Sequence, residues 1–196
     1  MHPVRTLSLA ALATLSLVAP AHAQDLAGCF VRGDAAATAQ RPSPLGAVAF
    51  TVGGADAKLC YGRPSAKGRK VMGELVPFGA PWRIGANEAT ALHLPVAADI
   101  GGVKVEPGVY SLYAVPGEKE WEFFLNRQWE RHGTPIDEAV KAGDVGSFKR
   151  PVAATSAMVE QLTFTWVSEG ADMGHLVMEW ENTKVEIPVH KAGPQH

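Results

Sequence analysis

Residues 101–126, GGVKVEPGVYSLYAVPGEKEWEFFLN, decide the fold class of this chain. Pairs of turn-forming residues, Gly-Gly or Pro-Gly, recur in this stretch and separate short runs that are rich in valine and aromatic residues. Turns at such short intervals between β-prone runs are typical of successive antiparallel strands. The stretch therefore predicts strands at Val103–Val105, Val109–Val115 and Trp121–Asn126.

The same pattern extends in both directions along the chain. Further strands are predicted at Ala47–Val52, Ala57–Tyr61, Ala89–Val96, Leu162–Val167, Leu176–Trp180 and Lys184–Val189, with Glu181-Asn182-Thr183 as a tight connection. Many short strands at regular spacing predict one antiparallel β-sandwich, or a partly open barrel. Its core should include most of Val48, Phe50, Leu92, Leu112, Phe123, Leu125, Phe164, Trp166, Val177 and Ile187.

One short helix interrupts the strand pattern between residues 134 and 143. Thr134 is a candidate N-cap, Pro135 suits the first helical position, and Gly143 can end the helix. Asp137 and Glu138 would lie in the first turn, where acidic side chains are favourable. The pattern predicts about two turns of helix over Thr134–Gly143, and this helix should be the only substantial one outside the N-terminal leader.

The N-terminus has the pattern of a secretory signal peptide. Arg5 precedes a short apolar run, and Ala21-His22-Ala23 matches a small-x-small cleavage site. We therefore expect residues 1–23 to be a signal peptide, 24–46 an irregular arm, 47–190 the β-sandwich domain and 191–196 a tail. No later apolar run is long enough to span a bilayer as a helix. The expected location is the periplasm.

Two cysteines, Cys29 and Cys60, lie beyond the predicted leader. An even pair in an oxidising compartment favours a disulfide, with the two Cα atoms about 4.4–6.8 Å apart. The alternative is a lipid anchor at Cys29, because Leu26-Ala27-Gly28-Cys29 resembles a lipobox. Gln24 and Asp25 separate this motif from the apolar run, which makes the disulfide the preferred interpretation.

Composition and motifs exclude several classes of function. The chain carries 18 Lys and Arg against 20 Asp and Glu, a balance that does not suit general binding to nucleic acid or to a membrane surface. The sequence has no nucleophile-elbow, phosphate-loop, H-E-x-x-H or C-x-x-C motif. The histidines beyond the leader are scattered. We therefore predict no metal site and no cofactor.

Residues 62–88, GRPSAKGRKVMGELVPFGAPWRIGANE, do not fit the pattern of short strands. Such a long connection in a compact domain is usually functional or disordered, and its many apolar residues favour an ordered loop. The segment contains five basic residues and two acidic ones, so it is basic in an otherwise acidic chain. Arginine matches carboxylate and phosphate groups well, which favours an anionic ligand. The candidate ligand-binding residues are Arg63, Ser65, Arg69, Trp82, Arg83, Asn87, Glu88 and, further along, Asn126.

A structural role is open for each of these residues. The arginines can instead bond to carbonyls or pair with Glu74 and Glu88 to hold the loop in shape. Trp82 can be a core residue beneath the loop. Asn87 and Glu88 can form a polar pair in a pocket, or Asn87 can instead occupy a left-handed turn position after Gly85-Ala86.

The loop also carries a family resemblance. Tyr61-Gly62-Arg63-Pro64-Ser65, Lys67-Gly68-Arg69, Gly73-x-Leu75-Val76-Pro77, Trp82-Arg83-x-Gly85-Ala86-Asn87-Glu88, Pro107-Gly108-x-Tyr110-Ser111-Leu112, Pro116-Gly117-Glu118 and Asn126 occur in this order. Together they resemble the bacterial family catalogued as domain of unknown function 2911 (DUF 2911), from about Ser43 to Val189. The resemblance implies an exported, mostly β domain and no particular activity. Where it leads us to expect Trp-Gly, this chain has His132-Gly133.

Two functions from different classes follow from these residues. One is an exported accessory or binding module that holds a small anion, a glycan acid or an acidic peptide on the 62–88 loop. The other is a hydrolase in which Glu88 is the general acid/base and arginines stabilise negative charge. The residues identify neither a nucleophile nor the ligand, and they leave the oligomeric state open.

Overall fold

A computed structural model describes residues 26–34 and 38–193 of the chain. The predicted signal peptide, residues 1–23, lies outside the described residues. Within the described ranges the chain forms ten strands: β1 (Leu45–Val52), β2 (Ala55–Gly62), β3 (Thr90–Leu94), β4 (Ala98–Ile100), β5 (Val103–Val105), β6 (Gly108–Val115), β7 (Glu120–Asn126), β8 (Asp144–Pro151), β9 (Ala153–Ser168) and β10 (Met173–Lys191). One helix, α1 (Glu138–Lys141), lies between β7 and β8.

The strands form two antiparallel sheets. One sheet has six strands in the order β1-β2-β3-β6-β7-β8, and the other has four in the order β5-β4-β10-β9. Neither sheet closes on itself, so the predicted antiparallel β-sandwich is confirmed. Each β-strand alternates its side chains between two faces, and the inner faces of the two sheets meet in the core.

Aromatic side chains join the two sheets across the core. Phe50 of β1 stacks on Trp166 of β9 with ring centroids 4.6 Å apart, and Tyr61 of β2 meets Phe164 edge to face at 4.9 Å. Eight of the ten predicted core residues are buried, and Val48 and Trp166 are partly buried against them. The largest fully buried side chains, Trp121 and Trp180, were not among the predicted ones.

The predicted helix was too long. α1 is a single turn whose N-cap is Asp137, not Thr134, and the Asp137 carboxylate accepts the Val140 N–H at 3.1 Å. The Thr134 hydroxyl bonds elsewhere, to the guanidinium of Arg83. Because the Asp137 carboxylate accepts the N–H of Val140, the third residue of the turn, the helix begins after Asp137 rather than at Pro135.

The predicted turn at Glu181-Asn182-Thr183 was also wrong. β10 is one strand that continues through these residues, and its register with β9 shifts there by β-bulges. Glu181 has a φ of 56°, which turns the strand locally without ending it. Two strands that the sequence did not indicate, β4 and β8, complete the sheets.

The predicted disulfide is confirmed. Cys29 and Cys60 are bonded, with their Cα atoms 5.7 Å apart. The sulfur of Cys29, which lipidation would require, is therefore occupied by this bond. Among the described residues, no helix is long and apolar enough to cross a bilayer.

Candidate functional site

Residues 62–88 form an ordered connection from β2 to β3 that crosses the sandwich. Short backbone pairings fix it at intervals: Ala66 N–H donates to the Glu160 carbonyl at 2.8 Å, and Trp82 exchanges two hydrogen bonds with Ala114, at 2.7 and 2.9 Å. Glu88 forms an isolated bridge with His132 at the far end. These contacts explain how so long a segment without a strand or helix remains ordered.

Glycine permits the two ends of this segment to cross at close range. A Cβ atom at Gly62 would lie 2.0 Å from the carbonyl oxygen of Ala86, and one at Gly85 would lie 3.1 Å from the Gly62 carbonyl. Only a residue without a side chain fits where the backbones are so close. The Thr90 hydroxyl donates to the Ile84 carbonyl at 2.8 Å and holds the crossing from below.

A cleft of about 290 Å³ opens beside this crossing. The 62–88 segment supplies most of its wall, and two residues come from elsewhere. The lining residues are Pro64, Arg69, Leu75, Val76, Trp82, Arg83, Gly85 and Ala86 from the segment, with Ser43 and Trp180. The wall thus combines two guanidinium groups with apolar and aromatic surface, a combination typical of small-molecule sites.

Two tryptophans, Trp82 and Trp180, line the cleft, and a third, Trp121, packs against Trp82 in the core. Trp82 stacks on Trp180 with ring centroids 5.9 Å apart and meets the buried Trp121 edge to face at 5.7 Å. Trp180 is 1 % exposed, whereas Trp82 is only partly buried. Trp82 therefore anchors the loop in the core and also presents surface to the cleft, so both interpretations of this residue apply.

Of the two arginines that line the cleft, Arg83 makes the fewer hydrogen bonds through its guanidinium group. Its Nε–H is buried without a hydrogen-bond partner, and its Nη1 reaches the Thr134 hydroxyl only at 3.5 Å. Burial lowers the pKa of the Arg83 guanidinium, because it removes water from the charged form. Within the described part of the chain it makes no ion pair with a carboxylate. The side chain passes so close to Gly133 that a Cβ there would lie 2.1 Å from its Cδ.

Arg69 lines the cleft, and part of its guanidinium group is hydrogen-bonded to the backbone of the loop. Its Nε donates to the Ala66 carbonyl and its Nη2 to the Ser65 carbonyl, both at 2.8 Å. These two bonds use two of the five N–H donors of the guanidinium. They fix the orientation of the group, which is exposed and faces the cleft.

Arg63 and Ser65 do not line the cleft. Arg63 points towards β9, where its Nε donates to the Leu162 carbonyl at 3.5 Å, and its charge lies near the Tyr61 hydroxyl. Ser65 contributes its carbonyl to Arg69 and pairs with Gln161 by an isolated bridge. The structure gives both residues a role in fixing the loop to the second sheet.

Asn87 and Glu88 hold the N-terminal arm and lie outside the lining of the cleft. Both Glu88 oxygens accept from Nη1 of Arg41, at 2.8 and 2.9 Å, and one also accepts the Arg32 N–H at 2.9 Å. Asn87 has a φ of 63° and donates its side-chain amide to the Ser43 carbonyl at 3.0 Å. The left-handed interpretation of Asn87 is confirmed, and the predicted pair of Asn87 and Glu88 is instead two separate anchors.

Asn126 belongs to a second polar cluster near α1. It is fully buried; its amide donates to the Val140 carbonyl and to Asp144 at 2.7 Å, and its oxygen accepts the Gln128 N–H at 2.7 Å. Asp144 also accepts from the Tyr113 hydroxyl at 2.6 Å. Burial, followed by this carboxylate, raises the pKa of Tyr113. Asn126 thus joins β7 to the following turn and does not reach the cleft.

Of the ten lining residues, the sequence-based prediction named three, Arg69, Trp82 and Arg83, and it missed both of those that lie outside the 62–88 segment, Ser43 and Trp180. Ser43 lies in the arm and Trp180 on β10, so neither is near the 62–88 segment in sequence. Trp180 was assigned to the end of a strand and the start of a turn. Its place in an apolar β10 pattern predicts burial, but no local signal predicts that it meets Trp82.

The family comparison covers most of the chain. A model of the family described as "Protein of unknown function (DUF2911)" matches residues 43–189, which include the 62–88 segment and all ten lining residues of the cleft. No curated protein and no solved structure matches the chain. The match confirms the resemblance seen in the loop motifs, and the chain belongs to the DUF2911 family.

Proposed function

We propose that this chain is an exported, non-enzymatic binding module whose cleft holds a small anionic ligand between Arg83 and Arg69. The observation that carries the proposal is the Arg83 guanidinium, which lines the cleft with a buried Nε–H that has no partner. A buried polar group without a hydrogen bond costs free energy. An anion in the cleft would bring an opposite charge to this incompletely bonded guanidinium.

The rest of the cleft supports a ligand that is not a bare ion. Trp82, Leu75 and Val76 give the wall apolar surface, and the volume of about 290 Å³ suits a molecule the size of a single sugar acid or a short acidic peptide. Arg69 adds a second cation whose orientation is already fixed by two carbonyls. A preorganised group loses less conformational entropy when it binds.

A hydrolytic role for Glu88 has less support. A general acid/base must reach the substrate, and the Glu88 carboxylate is 5 % exposed and bonded through both oxygens to the arm. Within the described residues, no group of three or more His, Cys, Asp or Glu side chains is arranged to hold a metal ion. The binding module is therefore the function that the geometry favours.

Export to the periplasm is part of the same proposal. The Cys29–Cys60 disulfide is typical of proteins that reside in oxidising compartments. The signal-like N-terminus agrees with this location. Mass spectrometry of the protein recovered from the periplasm of an expressing bacterium should give a chain that begins at Gln24, and recovery only from the cytoplasm with an intact leader would contradict export.

A thermal-shift screen tests ligand binding directly. Inorganic phosphate, glucuronic acid and an aspartyl-glutamate dipeptide are suitable probes, because a ligand that binds only the folded state raises the melting temperature. We expect at least one probe to bind wild-type protein. If no anion of this size raises the melting temperature or gives a calorimetric signal, the proposed function is wrong.

Arg83→Met should weaken the binding of that probe. Loss of a charge-assisted hydrogen bond, worth about 1.5–3 kcal/mol, corresponds to a loss in affinity of roughly tenfold or more. Isothermal titration calorimetry measures it, with Arg127→Met as the matched control, since Arg127 is exposed and outside the cleft. Unchanged affinity in Arg83→Met, together with a large fall in melting temperature, would assign Arg83 to the scaffold instead.

A further inference from the structure

His93 lies beside the disulfide on the outer face of the six-stranded sheet. Its register partner on β2 is Lys58, two positions before Cys60, so the alternation of the strands puts these three side chains on the same face. The Nε2 atom of His93 is 3.6 Å from Sγ of Cys60. This histidine is not part of the lining of the Arg83 cleft.

The contact with sulfur determines where the imidazole carries its proton. Neither sulfur of a disulfide has a proton to donate, so Sγ of Cys60 can only accept a hydrogen bond. Burial, followed by the charge of Lys58, lowers the pKa of His93, so its ring is neutral at neutral pH. A neutral ring has one N–H group, and a hydrogen bond to Cys60 requires this proton on Nε2. His93 therefore directs an N–H donor at one sulfur of the bond.

The two cysteines have different surroundings. Cys60 is only 3 % exposed, whereas Cys29, in the arm, is partly exposed. The Lys58 ammonium lies between β2 and the arm, where its Nζ donates to the Ala27 carbonyl at 2.7 Å. A reductant can therefore reach Cys29, and a thiolate formed at Cys60 meets both an N–H donor and a positive charge. Reactive cysteines are typically found in such electropositive and partly exposed surroundings.

We propose that the Cys29–Cys60 bond is a site of thiol–disulfide exchange, which a dithiol reductant opens with Cys60 as the leaving group. A thiolate of the reductant attacks the sulfur of Cys29 and forms a mixed disulfide, and the electron pair of the broken bond goes to Cys60. Nε2–H of His93 donates to the thiolate that results. The second thiol of the reductant loses its proton and displaces the sulfur of Cys29. The dithiol is thereby oxidised to a disulfide, and both cysteines are reduced and take up a proton each.

Reduction loosens the part of the arm that this bond fastens. Phe30 meets Trp129 edge to face with ring centroids 6.2 Å apart, and Arg32 N–H donates to Glu88 at 2.9 Å. Once the covalent bond is open, non-covalent contacts of this kind alone must order residues 26–34, against the conformational entropy of the chain. The exchange site shares no residue with the lining of the cleft, so it does not depend on the proposed ligand.

Reduction of the folded protein by dithiothreitol tests this site, with thiols alkylated at successive times and counted by mass spectrometry. We expect His93→Ala to slow reduction by roughly fivefold or more, because the Cys60 thiolate loses a charge-assisted hydrogen bond. His93→Gln, which keeps an N–H donor, should recover part of the rate. The matched control is His175→Ala, which removes a partly buried histidine of β10 in the other sheet and should leave the rate unchanged. A loss of stability would expose the bond and speed its reduction, so slower reduction does not arise from misfolding.

Trypsin gives a second readout, because it should cleave after Arg32 roughly fivefold faster or more once the arm is loosened. Three results would overturn the proposal. The first is a disulfide that dithiothreitol opens only when the whole protein is unfolded. The second is a reduction rate that His93→Ala does not lower, or that His175→Ala lowers as much. The third is equal cleavage after Arg32 in the reduced and the oxidised protein, because the bond would then not control the arm.

Discussion

The Glu88 carboxylate is the contact point between the N-terminal arm and the β-sandwich. Its side chain is 6 % exposed, and its partners Arg41 and Arg32 lie 47 and 56 positions earlier in the chain. A buried carboxylate is tolerated when hydrogen-bond donors surround it, and removal of its charge leaves those donors poorly paired. Glu88 therefore stabilises the attachment of the N-terminal arm to the β-sandwich, although it lies in the basic 62–88 loop.

Glu88→Gln should therefore destabilise the protein. The amide accepts hydrogen bonds less strongly than the carboxylate and leaves the partly buried Arg41 without its counter-charge, so we expect a loss of about 1–3 kcal/mol in the free energy of unfolding. Urea denaturation measures this loss. Glu74→Gln is the control, because Glu74 pairs with Lys70 in the open at 3.7 Å and should change stability little. Equal effects of the two substitutions would contradict the role given to Glu88.

At the scale of residues, sequence reasoning identified Arg69, Trp82 and Arg83 as candidate site residues, and all three line the cleft. Residue type and local charge were sufficient for these, because the segment that carries them also forms most of the wall. Glu88 was assigned to a site because its partner Arg41 lies in an arm with no regular pattern. A contact between distant positions leaves no periodic signal in the sequence.

The crossing at Gly62 is the element-scale feature on which the cleft depends. Gly62→Ala would place a methyl group 2.0 Å from the Ala86 carbonyl oxygen, so the backbone of the 62–88 segment must shift. We expect a loss of stability of about 1–3 kcal/mol or more, with a matching loss of probe binding. Gly108→Ala is the control, since its new Cβ would meet only the Tyr110 ring, at an ordinary 3.5 Å.

In Gly62→Ala, chemical denaturation measures the loss of stability, and calorimetry separately measures the loss of probe binding. If the substitution leaves both stability and binding at the level of Gly108→Ala, the two backbones are not in close contact in solution. A fall in stability alone would show that the crossing supports the fold without shaping the cleft.

The arm is the second element whose attachment can be tested. The disulfide closes a loop with a sequence separation of 31, and in the chain-entropy model a loop of this size contributes roughly 3.5–4 kcal/mol. The double variant Cys29→Ser and Cys60→Ser should lose about this amount and should become sensitive to proteases between residues 29 and 44. Limited proteolysis with mass spectrometry measures the cut sites. An arm that stays protected would mean that Glu88 and Asn87 hold it without the disulfide.

Element boundaries were predicted well where turns are sharp and poorly where they are not. β6 and β7 begin beside Pro-Gly pairs and match the prediction to within a residue or so. β10 was divided in two because a bulge at Glu181 uses the same polar residues as a turn. β4, only three residues long, gives no alternating pattern that could be recognised.

Two buried tyrosines, Tyr61 and Tyr113, link the stability of the protein to pH in the alkaline range. Burial raises the pKa of both Tyr61 and Tyr113, and the Asp144 carboxylate raises that of Tyr113 further. A raised pKa means that the neutral phenol is favoured in the folded state. The resulting stability is fully present below the unfolded-state pKa near 10 and is lost as the pH rises above it.

We therefore expect the free energy of unfolding to fall progressively as the pH rises above about 10. Tyr113→Phe should make this fall shallower, because the variant has no phenol to ionise beside Asp144. Urea midpoints measured across this range test the expectation. Tyr110→Phe is the control, since that hydroxyl donates to the Glu106 carbonyl and not to a carboxylate. The same slope in Tyr113→Phe as in wild type would assign the alkaline transition to other groups.

The class of the whole fold could be predicted from sequence, whereas the arrangement of its strands could not. Short runs separated by Gly and Pro are sufficient to indicate a sandwich, because they reflect local turn chemistry. The order β5-β4-β10-β9 pairs strands whose positions differ by up to about ninety residues, as between Ala98 and Lys191. Such pairings depend on which faces are apolar in three dimensions and not on any local pattern.

The place of β10 has a consequence for the order in which the chain can fold as it is synthesised. β10, the strand latest in the sequence, lies in the centre of its sheet, between β4 and β9. Until residues 173–191 have left the ribosome, β4 and β5 have no neighbour on one side, and β9 has no partner in its own sheet. The four-stranded sheet can therefore form only after β10 has been synthesised. Until then, the apolar inner face of the six-stranded sheet stays uncovered. A nascent chain of this kind exposes apolar surface until its synthesis is almost complete.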